Sequence, residues 1–344
     1  MSEITLLAID TAKSVFELLG LDGSGQEVFR RKNLRRSKLL KTVAKLAPCE
    51  VVMEACGASH HWGRCFEAMG HRVRLIAPQF VKPYRRGQKN DARDVEAIAS
   101  AAGAPKMRFV GVKTASAQAI QALHRVRRRI VREKVSISNQ LRGLLAEHGE
   151  VFAKGDTALR QGLRRVLAEG SLPPLLLELV EQESAAFDAC VERLKHYDRR
   201  NQQLKRSCPQ ASTLERSLPG VGPLTATATV AKIADPHSYR NGREFAASLG
   251  FPPRQYGTGG KVRLGKMSKQ GDRYLRTLYI HGARSVLRHL GDKQDDQSCW
   301  LRSLMARRGF NIACVALAHR NARRSWAILA GRTQPSLPPE PSEA

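Results

Sequence analysis

Ile4-Thr5-Leu6-Leu7-Ala8-Ile9-Asp10 is a near-continuous apolar run that ends on an acid. Such a run suits a strand buried on both faces, and it places Asp10 at the strand's end. Two further strand-like segments follow, near residues 14–19 and 26–31. The Leu21-Asp22-Gly23-Ser24-Gly25 stretch between them reads as a hairpin turn, because Asp and Gly supply the backbone conformations that tight turns need. The chain therefore begins as an antiparallel set of strands.

Beyond this meander the pattern alternates. A helix is predicted near 37–46, a strand at Glu50-Val51-Val52-Met53-Glu54, a helix over about 59–69, a strand from Arg72 to Ile76 and then another helix. Three hairpin strands followed by alternating helices and strands is the order of a ribonuclease H-like (RuvC-like) fold. The expected class is α/β plus α: this domain over 1–112, a coiled-coil connector over 113–208, a mostly helical second domain over 209–332 and a disordered tail over 333–344. The connector rests on Leu123, Ile130, Ile137 and Leu144, which repeat every seven residues, flanked by Ile120 and Leu141. A second long helix, about 174–205, opens after Pro173 and Pro174, and is expected to pair with the first arm or with another subunit. The stretch from Gly155 to Leu172 between them reads as a loop with a short helix. In the second domain helices are predicted near 222–233, 242–249, 270–290 and 308–329. The tail has too little apolar surface to offset ordering entropy.

Lysine and arginine total 58 against 31 acidic residues, a formal charge of +27. Self-repulsion of that size calls for a polyanion, and nucleic acid is the obvious one, with a ribosomal or membrane-surface protein as the bland alternative. None of the seven cysteines falls in a C-x-x-C pair, so neither a zinc knuckle nor a disulfide framework is supported, and a reducing cytoplasm is expected. No signal peptide is read at the start, and no apolar window reaches the roughly 18 residues of a membrane span.

Asp10 and Glu54 end strands that are neighbours in such a sheet, so their carboxylates are expected to converge at one edge. Asp91 and Asp94 lie three apart at the start of a predicted helix, which puts both on one face. Four carboxylates within about 4 Å repel by roughly 4 kcal/mol per pair at an effective dielectric near 20. Divalent cations relieve that repulsion. All-oxygen ligands suit magnesium or manganese, and two such ions can activate an attacking oxygen and stabilise a leaving one in phosphoryl transfer. The alternative is that the acids are solvated strand ends and a helix start that favours the macrodipole.

With Ala8-Ile9-Asp10-Thr11-Ala12-Lys13, Met53-Glu54-Ala55-Cys56-Gly57 and Lys89-Asn90-Asp91-Ala92-Arg93-Asp94, the chain resembles the DEDD transposases of the insertion sequence 110 family, in particular the insertion sequence 1111 group. The resemblance continues through Leu218-Pro219-Gly220-Val221-Gly222-Pro223-Leu224-Thr225-Ala226 and Thr258-Gly259-Gly260-Lys261-Val262-Arg263-Leu264-Gly265-Lys266-Met267-Ser268-Lys269-Gln270-Gly271-Asp272, and so covers nearly the whole chain. It implies a site-specific DNA recombinase in a bacterial, nucleoid-associated cytoplasm. It also implies a homo-oligomer, dimer or tetramer, in which the acids of one subunit meet the hydroxyl domain of another. A small noncoding guide RNA that selects the sites is implied as well. Relatives place a serine nucleophile in the short glycine-rich segment. Here that segment carries Thr258 and no serine, so Thr258 ranks first as nucleophile and Ser268 second, and an inactive copy stays open.

The turn Pro219-Gly220-Val221-Gly222 before an apolar helix reads as helix-hairpin-helix-like, with Gly220 and Gly222 offering backbone amides to a phosphate, or equally as a helix-capping turn that only packs. Lys261 and Arg263 after Gly259-Gly260 bring cations to such a phosphate. Arg125, Arg127, Arg128, Arg129 and Arg132 set positive charge around the first long helix, for DNA backbone contact or as a solvated face. Adjacent His60 and His61 face different ways on a helix and read as structural. Trp62, Trp300 and Trp326 are too sparse for a base-stacking platform as the main binding mode. The rival readings are a Holliday-junction-type endonuclease and a nonenzymatic nucleic-acid-binding protein.

Overall fold

The computed structural model describes residues 3–85, 91–233 and 235–333. The N-terminal part runs β1 (Leu6–Thr11), β2 (Val15–Leu21), β3 (Glu27–Arg35), α1 (Arg36–Val43), β4 (Glu50–Glu54), α2 (Ser59–Glu67), β5 (Arg72–Ile76), α3 (Pro78–Val81), α4 (Asp91–Ala102) and the short β6 (Phe109–Val110). One sheet takes the order β3-β2-β1-β4-β5-β6. β1 is antiparallel to β2 and parallel to β4, and β4 is parallel to β5. This is the ribonuclease H-like arrangement expected from the element order.

β1 is apolar from Leu6 to Ile9 because both of its faces are covered there. Leu7 and Ile9 pack with Phe16, Leu18, Leu39, Val51, Met53, Trp62 and Phe66 on one side. Ala8 packs on the other with Leu19, Val52, Ile76 and the α4 residues Val95, Ile98 and Ala101. The third strand runs further than its sequence pattern indicated, to Arg35, and carries an irregularity opposite Phe16–Leu18. Asn33 adopts a left-handed φ of 51° there, and its amide donates to Glu17 Oε1 at 2.7 Å.

The remaining elements are α5 (Ala115–Ala146), α6 (Asp156–Glu169), α7 (Pro174–Ser207), α8 (Pro209–Ser217), α9 (Pro223–Ile233), α10 (Gly242–Ser248), β7 (Pro253–Thr258), β8 (Lys261–Met267), α11 (Arg273–Arg288), α12 (Asp296–Arg308) and α13 (Phe310–Leu329). Among the described residues, no helix is long and apolar enough to cross a membrane. The chain divides into two compact units. The first ends at Gln118 and takes back Ile233–Arg240; the second runs from Ala119 to Lys232 and resumes at Asn241. From residue 334 on, the expected disordered tail lies outside the described residues.

The long helices also differ from a two-stranded coil. α5 and α7 are antiparallel, since Arg127 pairs with Asp198 at 2.6 Å while Lys134 lies over the Phe187 ring. Past Ile137 the buried positions of α5 are Leu141 and Leu145, at a spacing of four, and Leu144 is only partly buried. The reason is α6, which fills with a 14-residue helix most of the stretch read as a loop with a short helix. Its Leu159, Leu163 and Val166 fall on one face and close a core with Leu141, Leu145, Val180 and Phe187.

A buried polar chain ties the helices of the second unit together. His124 Nδ1 meets the Tyr274 hydroxyl at 2.9 Å and its Nε2 meets Thr227 Oγ1 at 3.1 Å, while Thr227 donates to Asn201 Oδ1. Burial, and then the nearby Arg127, push the His124 imidazole down to about 4. The native state therefore refuses a proton that the unfolded chain accepts below about pH 6.5. The stabilisation is present above that pH and is lost as the pH falls toward 4. Urea unfolding at pH 7 and pH 5 should differ by about 2 kcal/mol more in the parent than in a His124→Gln chain. Equal pH dependence in the two would remove His124 as the cause.

Candidate active site

Strand alternation settles where the strand acids stand. Ala8 and Val52 face the α4 side of the sheet, so Asp10 and Glu54, each two residues on, face it too. β1 and β4 pair in parallel with Ile9 opposite Met53, so the two acids follow side by side at the ends of adjacent strands. α4 covers this face with Val95 and Ile98, and Asp94 lies on that helix beside Val95. The Asp94 carboxylate is mostly buried and sits 3.5 Å from the Arg85 guanidinium. Asp91 opens α4; its side chain, with Lys89 and Asn90 of the same motif, lies outside what is described.

A fifth carboxylate joins these, one that the strand-end pattern did not single out. Glu17 is directly opposite Asp10 in the antiparallel β1–β2 pair and so shares its face, with Cβ atoms at roughly 4.5–5.5 Å for such pairs. Its side chain is 6 % exposed. Oε1 takes the Asn33 amide, and Oε2 is buried with no hydrogen-bond partner among the described residues. The signal was an acid inside Val15-Phe16-Glu17-Leu18-Leu19, where a strand covered on both faces leaves no solvent for it.

The donor set is carboxylate oxygen throughout, which is the chemistry of a hard divalent cation. Among the described residues no three His, Cys, Asp or Glu side chains stand close enough to hold one. Asp94 is engaged with Arg85, and Asp91 is the remaining donor of the set.

The glycine-rich segment forms a β-hairpin. Gly259 and Gly260, with φ of 56° and 78°, form the two-residue turn between β7 and β8, the positive-φ pair that a tight hairpin requires. Thr258 pairs with Lys261 and Tyr256 with Arg263, so all four share one exposed face, while Val262 and Leu264 lie on the other. Thr258 thus presents its hydroxyl at the tip beside a cation, and Tyr256 adds a third hydroxyl to the candidates. Ser268 is placed differently. It is half-buried at the hairpin base, its hydroxyl donating to the Gly250 carbonyl at 3.2 Å and its amide to Pro252.

The 219–222 turn joins α8 to α9. Gly220 has φ 85°, and a Cβ there would stand 2.8 Å from the Gly282 carbonyl oxygen, so this glycine serves close packing on α11. Asn321 further holds the Pro219 carbonyl at 2.8 Å. Gly222 is open on its side-chain side. Of the α5 arginines, Arg127 is paired with Asp198, Arg129 with Glu133, and Arg128 stacks over Tyr274, whereas Arg125 and Arg132 are exposed. His60 Nδ1 accepts the Lys113 amide at 3.2 Å, in keeping with its structural reading.

A sheet of this order with acids at neighbouring strand ends is the frame of the ribonuclease H-like nucleases and transposases. A transposase model of the IS110 DEDD type matches residues 7–149, and a second, described as the transposase IS116/IS110/IS902 family, matches residues 212–298. A probable family 20 transposase of Pseudomonas aeruginosa is 44 % identical, over 96 % of this chain and 98 % of its own length. The transposase for insertion sequence element IS1111A of Coxiella burnetii is 42 % identical, over 96 % of this chain and 90 % of its own. A putative transposase of Sinorhizobium fredii is 38 % identical, over 96 % and 85 %. The chain belongs to the IS110 family of DEDD transposases, near the IS1111A element's enzyme. It is a DNA phosphoryl-transfer enzyme whose class uses divalent metal and binds DNA.

Proposed function

We propose that the protein is the recombinase of its insertion element, cutting and rejoining DNA strands with Asp10, Glu54, Asp91 and Asp94 as the acidic half of the site and Thr258 as the nucleophile. The observation that carries this is the side-by-side placement of Asp10 and Glu54 on the sheet face covered by α4, which bears Asp94. Magnesium or manganese held by these acids would supply charge neutralisation for the attacking and leaving oxygens. Thr258 attacks phosphorus, the bond to the leaving strand oxygen breaks, and the hydroxyl proton passes to that oxygen. Lys261 across the hairpin and Arg263 beside it balance the phosphate charge. The exposed tip with its cations supports Thr258 over the tethered Ser268.

The separation of acids and hydroxyls into two units supports the further reading of a homo-oligomer, dimer or tetramer, in which subunits combine their halves. Choice of site by a small noncoding RNA is proposed from family membership together with the +27 charge. Incubation with DNA that carries the element's ends, followed by denaturation and peptide mass mapping, should find a covalent adduct on Thr258. An adduct on Tyr256 or Ser268 would reassign the nucleophile, and metal-dependent cutting with no adduct would make the protein a junction-type nuclease instead.

A further inference from the structure

The strongest unassigned feature of the second unit is a cleft of about 880 Å³ between α10, α12 and α13. Arg243 enters from α10, Trp300 from α12, and His319, Arg320, Arg323 and Arg324 from α13. Among the described residues, no aspartate or glutamate lines it. Arg320, Arg323 and Arg324 stand at i, i+3 and i+4, so all three crowd one face of α13 and concentrate positive charge there. Burial, and then Arg320, pull the Arg324 guanidinium below its usual range, as expected where water is scarce and positive charge is crowded. The Arg320 guanidinium lies 5.1 Å from the Trp300 ring centroid, a stacking that presets the direction of its donors.

Two features narrow the ligand. The volume is that of a small-molecule site, enough for a nucleotide and too small for a duplex. An indole inside a cationic cleft also suits a base that is free to stack, which a paired base is not. Most of the lining lies beyond residue 298, where the second family match ends.

We propose that this cleft seats the phosphodiester backbone of a single DNA strand, with an unpaired base stacked beside Trp300. Arg320 and Arg323 take the phosphates as planar, two-pronged donors, and Arg243 adds a further cation from α10. The inference rests on the reading of the chain as a DNA strand-transfer enzyme, since such an enzyme must hold a strand end while it is unpaired.

Intrinsic fluorescence of the full chain tests it, because Trp300 alone among the tryptophans is half-exposed, while Trp326, which also lines the cleft, and Trp62 are buried. Titration with a short oligo-dT should quench the parent. A Trp300→Phe chain should lose most of the quench, Trp326 supplying what remains, while still binding by anisotropy. An Arg320→Ala/Arg323→Ala chain should bind at least tenfold more weakly. Its log-log salt slope should be shallower by about 1.4, the loss of two single-strand phosphate contacts at roughly 0.7 each. An Arg320→Lys/Arg323→Lys chain keeps the charge and should recover most of that slope, which separates phosphate contact from misfolding.

Unchanged affinity and slope in the alanine chain, or a quench of undiminished amplitude in Trp300→Phe, would overturn the assignment. So would an oligo-rU of equal length that binds tenfold more tightly than oligo-dT and is the ligand lost on substitution, since the cleft would then be an RNA site. If the parent binds DNA and the variants bind it equally well, the cleft assignment alone fails; if the parent binds no DNA in any form, the functional reading fails first.

Discussion

An Asp10→Asn chain is expected to cleave DNA on the order of 10³-fold more slowly than the parent, a loss of about 4 kcal/mol of transition-state stabilisation, with its thermal midpoint unchanged. The amide keeps the shape and polarity of the side chain at the end of β1, so the packing of Leu7, Ala8 and Ile9 below it is untouched. What it removes is one negative charge from a face that also holds Glu54 and the buried Glu17. For a structural acid, losing charge among like charges is neutral or favourable. For an acid whose purpose is to hold a divalent cation, the same change weakens the cation and with it the neutralisation of both reacting oxygens. Single-turnover cleavage across a magnesium titration, alongside a thermal melt, reads both quantities. Cleavage within tenfold of the parent at saturating metal would mean that Asp10 is a solvated strand end after all.

The second large effect concerns folding rather than chemistry. A Gly282→Ala chain should lose about 3 kcal/mol or more of stability in urea unfolding, although alanine is intrinsically the better helix former by about 1 kcal/mol. A methyl group at position 282 in α11 would overlap the Gly220 carbonyl oxygen, which is backbone and cannot rotate aside. The 219–222 turn would have to lift from α11, and with it the start of α9 and the contact of Asn321 with Pro219. Gly257→Ala, which meets only ordinary contacts in the exposed hairpin, is the fitting control and should change stability little. If Gly282→Ala melted with the parent, the two backbones would not be in the close contact described.

The legible parts of the molecule share one physical trait. A strand buried on both faces must be apolar throughout, so an acid at its end stands out, as Asp10 and Glu54 do after their runs. The parts that were not legible depend on partners distant in sequence. Glu17 is visible as an acid in an apolar strand, but only the β1–β2 register sets it opposite Asp10. The expected seam through Leu144 ignored α6, because whether a stripe shifts from seven to four depends on which helix comes to cover it. The β7–β8 hairpin was hidden because its strands are exposed on both faces and carry glycines where a buried strand would carry an alternating pattern.

Sheet order, the strand-end acids and the cationic character are thus written in the amino-acid order alone, since burial period and net charge are local or additive properties. Folding in three dimensions adds the face that the acids share, the packing of Gly220 against Gly282, the exposure of Thr258 while Ser268 is tied down, and the meeting of Arg243 and Trp300 with the α13 arginines around one cleft. Each of these joins segments far apart in the chain, set by how helices and strands fill space against one another, which no local pattern records.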